Sequence, residues 1–182
     1  MIRKASFVGF IPAECSEPFL LVTPVSAMYA NLNDVEIHIT LLSKEEDIFH
    51  NMIKIDKPIQ IQLPKIANHE AFIVSFVSQT SKLPVEQFQA FIGLNELTFI
   101  ECQRYIKQEK GFLVTENLLK NCYIAIINLS DKEKLTIIGD KKEKEISLAS
   151  CITVYYLSER SFLYLDCAGE YVYPFCVPVS LQ

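Results

Sequence analysis

The sequence predicts an α+β fold that is predominantly antiparallel β, sandwich-like or a partial barrel, with a few short helices from the central segment. Apolar and polar residues alternate over Asp34–Leu42, which is typical of a half-buried strand. Short apolar runs separated by tight reversals favour antiparallel pairing over parallel winding. Between about residues 80 and 120 the apolar spacing becomes helical, so we expect one globular domain, 1–182, with a helical middle between two β-rich halves.

The first half of the chain is predicted to be mostly strands. Ser43 and Glu46 have the spacing of a capping box, which predicts a short helix that ends near Met52. The remaining apolar runs are short, rich in β-branched residues and bounded by turn residues. They predict strands at Ser6–Phe10, Pro18–Thr23, Asp34–Leu42, Ile59–Leu63 and Ala71–Val77.

The central segment carries the helix signals. Pro84 suits a first helical turn and Gly93 a helix end, which predicts one helix between them. Thr98–Glu101 is a second capping-box candidate, for a helix that stops at Gly111. A third helix is predicted at Glu116–Lys120. In the alternative interpretation, Leu97–Cys102 is a strand.

The last third of the chain returns to strands. Tyr123–Leu129 is nearly all apolar, as a central strand would be. Leu135–Ile138 and Ile146–Leu157 predict a long hairpin. Phe162–Cys167 and Tyr171–Phe175 predict another around Ala168–Gly169.

Composition and charge exclude several classes of function. The net charge is −5, whereas nucleic-acid binders usually present a basic face, so we expect no nucleic-acid partner. No apolar run reaches the roughly 18 residues of a membrane span, and the N-terminus is a poor signal peptide, so we expect a cytoplasmic protein without membrane insertion. The six cysteines form no CxxC pair and are expected to be reduced. The five glycines form no phosphate-binding loop and suggest chain reversals.

Few residues are candidates for chemistry. His38, His50 and His69 lack the spacing that places two imidazoles on one metal, so we expect surface histidines. Cys167 is the best nucleophile candidate, but the neighbouring Asp166 and Glu170 would raise its pKa and make it inert. Asp166 could act as a general acid, although alternation with Phe162 and Tyr164 suggests a solvent-facing position on an edge strand. We therefore predict no catalytic, cofactor or metal residues.

The clearest compositional signal is a tyrosine-rich C-terminal end. Tyr171, Tyr173 and Phe175 alternate on one strand face, and Pro174 and Pro178 mark that strand as an edge or an exit. Because tyrosine is enriched at protein interfaces, these three residues are the predicted protein-contact site. In the alternative interpretation they complete the core of the domain itself.

These observations favour a non-enzymatic protein-interaction subunit, an adaptor or structural component of a larger intracellular, pathogen or phage assembly. Its expected partner is another protein or a second copy of itself, and no cofactor is expected. The alternative is a small-molecule-binding domain or hydrolase with a dispersed site in a cavity between sheets.

Overall fold

The structure is a computed structural model that describes residues 3–24, 32–78, 88–95, 97–115, 122–139, 143–156 and 162–179. In these residues the protein is all-β. The α+β prediction is therefore wrong in its helices and right in its antiparallel β character. The strands are β1 Arg3–Ile11, β2 Phe19–Pro24, β3 Leu32–Leu41, β4 Glu46–Ile55, β5 Ile59–Gln62, β6 Glu70–Ser78, β7 Phe88–Gly93, β8 Phe99–Glu101, β9 Gln103–Arg104, β10 Phe112–Thr115, β11 Cys122–Asn128, β12 Lys134–Gly139, β13 Glu143–Ser147, β14 Cys151–Tyr155, β15 Phe162–Leu165 and β16 Val172–Pro178.

The chain forms two compact units, Met1–Tyr105 and Ile106–Gln182. The first contains sheet I, ordered β4-β3-β6-β1-β9, and sheet II, ordered β5-β2-β7-β8. The second contains sheet III, ordered β10-β15-β12-β13, and sheet IV, ordered β14-β11-β16. All strand pairs among the described residues are antiparallel. That the chain folds as one domain stays a prediction, which a single cooperative unfolding transition would support.

In the first unit, consecutive strands connect sheets I and II. β8 pairs with β7 in sheet II, whereas β9, which begins two residues later, pairs with β1 in sheet I. Between them, the Cys102 amide donates to the Ala90 carbonyl at 2.7 Å. The apolar side chains of the strands in sheets I and II form the core of this unit, which includes the fully buried Phe10, Leu20 and Ile39.

In the second unit, sheets III and IV pack face to face. Val114, Ile137 and Leu165 of sheet III share a buried cluster with Ile124 and Ile126 of sheet IV. All five of these side chains are 0% exposed. Because alternate residues of β10, β12 and β15 enter this cluster or pack against it, the intervening residues lie on the opposite, outer face of sheet III.

The predicted helix from Ser43 to Met52 is wrong, because residues 42–45 form a turn and β4 follows. Ser43 does not form a capping box with Glu46. Its amide and hydroxyl instead donate to the buried carboxylate of Glu70, at 3.2 and 2.5 Å. The register of β3 against β4 also shifts after Ile39, as at a β-bulge, which disturbs the two-residue period.

The predicted central helices are also wrong where the structure describes them. Phe88–Gly93 is a strand, and Gly93 does not end a helix but lies under the ring of its cross-strand partner Phe19. The segment from Thr98 to Gly111 contains β8 and β9, so the alternative strand interpretation of Leu97–Cys102 is confirmed for Phe99–Glu101. Residues 84–87 and the predicted helix Glu116–Lys120 lie outside the described residues.

The hairpin predictions have mixed outcomes. β12 and β13 pair as expected, but Ile146–Leu157 is divided between β13 in sheet III and β14 in sheet IV. Ala168–Gly169 is a turn, and Gly169 has a φ of +79°. However, the strands on either side of this turn do not pair with each other, because β15 belongs to sheet III and β16 to sheet IV.

Within the described ranges, no helix has the length and apolar character needed to cross a membrane.

Candidate functional site

An apolar row crosses the outer face of sheet III. The strand register places Leu113 of β10 opposite Tyr164 of β15, and Tyr164 opposite Ile138 of β12. Phe162 lies two residues before Tyr164 on the same face. Leu113 is 59% exposed, and Ile138 and Phe162 are each 38% exposed. This set of four residues is called the sheet III row below.

Alternation along each strand positions the row. Leu163 and Leu165 enter the core and are fully buried, so Phe162 and Tyr164 must face outward. Tyr164 also packs over Gly111, where an added Cβ would lie 2.2 Å from the ring carbon Cζ. The close approach of the ring to the backbone is possible because glycine has no side chain at this position.

Acidic side chains lie beside the row. Glu143 is paired with Ile138 on β13, and Glu145 is paired with Thr136. The amide of Asp166 donates to the Thr136 carbonyl at 3.1 Å, and the Asp166 side chain is exposed. Lys134 lies 3.3 Å from a Glu145 carboxylate oxygen, so these two charges partly offset each other, while Glu143 and Asp166 lie beside the row as well. The described border of the row is therefore predominantly acidic.

The structure separates the three predicted contact residues. Tyr173 is 0% exposed and its hydroxyl donates to the Ile106 carbonyl at 2.9 Å. Phe175 is 3% exposed, whereas Tyr171 is half-buried. Among the described residues, β16 is an edge strand of sheet IV, as Pro174 and Pro178 predicted. The burial of Tyr173 and Phe175 favours the alternative, in which they complete the core, and a contact at these residues stays a prediction.

Tyr171 lines an open depression of about 480 Å³ together with Lys107, Leu129, Ser130, Asp131, Lys132 and Glu170. The Lys107 ammonium lies 5.8 Å from the centre of the Tyr171 ring, within the range of a cation–π contact. The Lys132 ammonium lies 3.9 Å from a Glu170 carboxylate oxygen. Lys107, Lys132 and Glu170 in this depression thus already have partners of opposite charge or aromatic character.

The nucleophile candidate Cys167 is buried, with 1% of its surface exposed. Its thiol lies 3.7 Å from the Lys110 carbonyl oxygen. Burial raises the pKa of Cys167, and the nearby Asp166 charge adds to this effect. A buried thiol with a raised pKa is a poor nucleophile. Asp166 is exposed, as expected, but it follows β15, which is an inner strand and not an edge.

The three histidines differ in their surroundings. His69 accepts a hydrogen bond from the Ala13 amide at 3.2 Å and stacks on Phe10. His38 and His50 are cross-strand partners on β3 and β4, with ring centres 4.1 Å apart. Sequence spacing could not show this pair, because a strand register brings together residues that are twelve positions apart.

The sheet III row was not predicted from the sequence, although the sequence contains a signal for it. The segment Phe162–Asp166 alternates apolar core residues with outward residues, and Phe112–Thr115 does the same. Neither pattern reveals that β10, β15 and β12 are neighbours. The row results from their register, which depends on long-range pairing.

Comparison of the chain with known protein families, curated proteins and solved structures finds no match.

Proposed function

We propose that this chain is a non-enzymatic protein-interaction subunit, a structural or adaptor component of a larger cytoplasmic assembly, which contacts its partner through the outer face of sheet III. The observation that carries the proposal is the sheet III row, an apolar row that crosses three adjacent strands and remains exposed. Contiguous exposed apolar residues with a polar rim are typical of protein-contact surfaces.

The charges beside the row favour a particular kind of partner. Glu143 and Asp166, together with Glu145, whose charge Lys134 partly offsets, would attract a surface with basic residues around an apolar centre. A second copy of this chain would bring acidic side chains toward one another, and the whole chain carries a net charge of −5. We therefore propose a different protein as the partner, and self-association as an outcome that the experiment detects.

The burial of Cys167 supports a non-enzymatic role, because it removes the best nucleophile candidate from solvent. The alternative function, small-molecule binding, would use the depression lined by Lys107, Lys132 and Tyr171. Its ligand would have to compete with the Lys107–Tyr171 and Lys132–Glu170 contacts. This requirement makes the depression the weaker candidate.

The test compares two lysine substitutions on the same face of sheet III. Leu113→Lys places a charge in the row, whereas the control Ser147→Lys adds the same charge on β13, opposite Lys134. Both positions are exposed, so each variant should keep its stability within about 0.5 kcal/mol. Each full-length variant is purified from the cells that produce the protein, and the amount of co-purifying partner is quantified.

We expect Leu113→Lys to reduce the recovered partner at least tenfold and Ser147→Lys to leave it unchanged. Recovery of the wild-type chain alone, as a monomer, would contradict the proposed function. Recovery of the wild-type chain as a homo-oligomer would contradict the choice of a different protein as partner. Equal loss of partner in both variants would contradict the assignment of the contact to the row.

A further inference from the structure

A second cluster lies in the first unit, on the exposed face of the β3–β4 hairpin. Glu36 and His38 are two residues apart on β3 and therefore share a face. His50 is the cross-strand partner of His38 on β4. One ligand atom from each of these three side chains lies within 4.8 Å of the others.

The same carboxylate oxygen faces both imidazoles. Glu36 Oε1 lies 3.3 Å from His38 Nε2 and also accepts a hydrogen bond from His50 Nε2. Two ring nitrogens and one carboxylate oxygen thus already converge on one small volume.

One separation within the cluster suits a metal ion of the zinc type. Zinc binds imidazole nitrogen and carboxylate oxygen at about 2.0–2.2 Å, so tetrahedral ligand atoms lie roughly 3.3 Å apart. The 3.3 Å separation of His38 Nε2 and Glu36 Oε1 matches this spacing. His50 Nε2 and Glu36 Oε1 lie closer together, in a hydrogen bond, so a bound ion would replace the shared proton and move these two atoms apart. Calcium and magnesium prefer oxygen ligands alone, so the two imidazoles favour a divalent transition metal.

A fourth side chain supports the orientation of His38. Asp47 Oδ2 lies 3.8 Å from His38 Nδ1, on the side of the ring away from Glu36. The Thr40 hydroxyl holds Asp47 by donating to its other oxygen at 2.5 Å. A carboxylate near the second nitrogen of a metal-binding histidine favours the tautomer that leaves Nε2 free to bind.

We propose that Glu36, His38 and His50 form a binding site for one divalent transition-metal ion, with Nε2 of each histidine and the Glu36 carboxylate as ligands. Water fills the fourth position, which is accessible because the His50 side chain is 54% exposed. The sequence predicted no metal residues, because it offered no metal-binding spacing and suggested a helix where β4 lies. This proposal does not depend on the proposed protein contact, whose residues belong to the other unit.

The experiment titrates the full-length chain with Zn²⁺ and follows the imidazole nitrogens by NMR. We expect one ion per chain, with the Nε2 signals of His38 and His50 shifting while those of His69 stay in place. His69 is an internal control, because it lies in the same unit but outside the cluster. The proposal is overturned if Zn²⁺ binding shifts the NMR signals of His69 instead. It is also overturned if no histidine signal shifts, as would happen if cysteine thiols bound the ion.

Matched variants give a second, independent measurement by calorimetry. His50→Gln and Glu36→Gln remove one ligand each, and each should weaken Zn²⁺ binding at least tenfold, since even indirect partners of metal ligands are worth about 10–100-fold. As a control, Glu46→Gln removes an exposed carboxylate from β4, the strand that carries His50, and should leave Zn²⁺ binding unchanged. Unchanged Zn²⁺ affinity in Glu36→Gln would contradict the proposed ligand set. If a variant fails to fold, the NMR titration of the wild-type chain still tests the proposal.

Discussion

β15 and β16 are both rich in aromatic residues, but the fold uses them in different ways. β15 presents Phe162 and Tyr164 on the outer face of sheet III, whereas β16 buries Tyr173 and Phe175. Their patterns differ in the length of the apolar run. The run of β15 covers only Phe162–Leu165 and is followed by the exposed Asp166, whereas the run Val172–Val177 is longer. A continuous apolar run is typical of a strand buried on both faces, so aromatic content alone does not identify a contact surface.

The largest expected effect is a difference in the stability cost of aromatic substitutions on β16 and on β15. Tyr173→Ser should lower the free energy of unfolding by about 3–5 kcal/mol, because it leaves a cavity and removes the hydrogen bond to Ile106. Phe162→Ser on β15 should cost only about 1 kcal/mol, because Phe162 is partly exposed. Urea unfolding of both variants measures the difference. Similar costs for the two substitutions would remove the distinction between core and surface aromatics.

The next prediction concerns the turn that directs the two strands into different sheets. Gly169→Ala should cost about 1–2 kcal/mol, because the φ of +79° is unfavourable for a residue with a Cβ. No neighbouring atom lies within 4 Å of an added Cβ, so the cost arises in the backbone alone. Gly169→Asn is the matched control and should cost less, since asparagine adopts this conformation more readily. A neutral Gly169→Ala variant would show that the turn changes its backbone without penalty.

A smaller effect should appear as a pH dependence that originates in β16. Burial raises the pKa of Cys176 from 9.0 to about 12, and the neighbouring Cys122 thiol adds to this effect. Well below pH 9 the thiol is neutral in both the folded and the unfolded chain. Between pH 9 and about 12 the unfolded chain loses this proton first, so folded stability should decrease as the pH rises.

Urea unfolding from pH 8 to 10.5 measures this decrease, and Cys176→Ala should reduce its slope. Part of the slope should remain, because burial raises the pKa of Cys122 as well. An identical slope in Cys176→Ala would show that Cys176 ionises equally in both states.

The sequence predicted the strands whose alternation or continuous apolar character was unambiguous. Asp34–Leu42, Ala71–Val77 and Tyr123–Leu129 correspond closely to β3, β6 and β11. Its helices were wrong where short-range signals resembled capping. Ser43 had a cap-like spacing to Glu46, but its partner is Glu70, which is 27 positions away.

The candidate sites could not be predicted for a related reason. Leu113 and Ile138 are distant in sequence and are brought beside Tyr164 by the register of sheet III. His38 and His50 are likewise joined by the register of β3 and β4. In each case the site consists of cross-strand neighbours, and a single sequence shows alternation within a strand but not which strands become neighbours.

The most direct test of the central claim compares solvent labelling of the free chain and the assembled complex. Hydroxyl-radical footprinting should show reduced labelling of Leu113, Ile138 and Phe162 in the complex. Tyr156, which is 70% exposed and follows β14 in sheet IV, should be labelled equally in both states. Unchanged labelling of the sheet III row, with protection at Tyr156 or Tyr171 instead, would contradict the claim that the partner binds the outer face of sheet III.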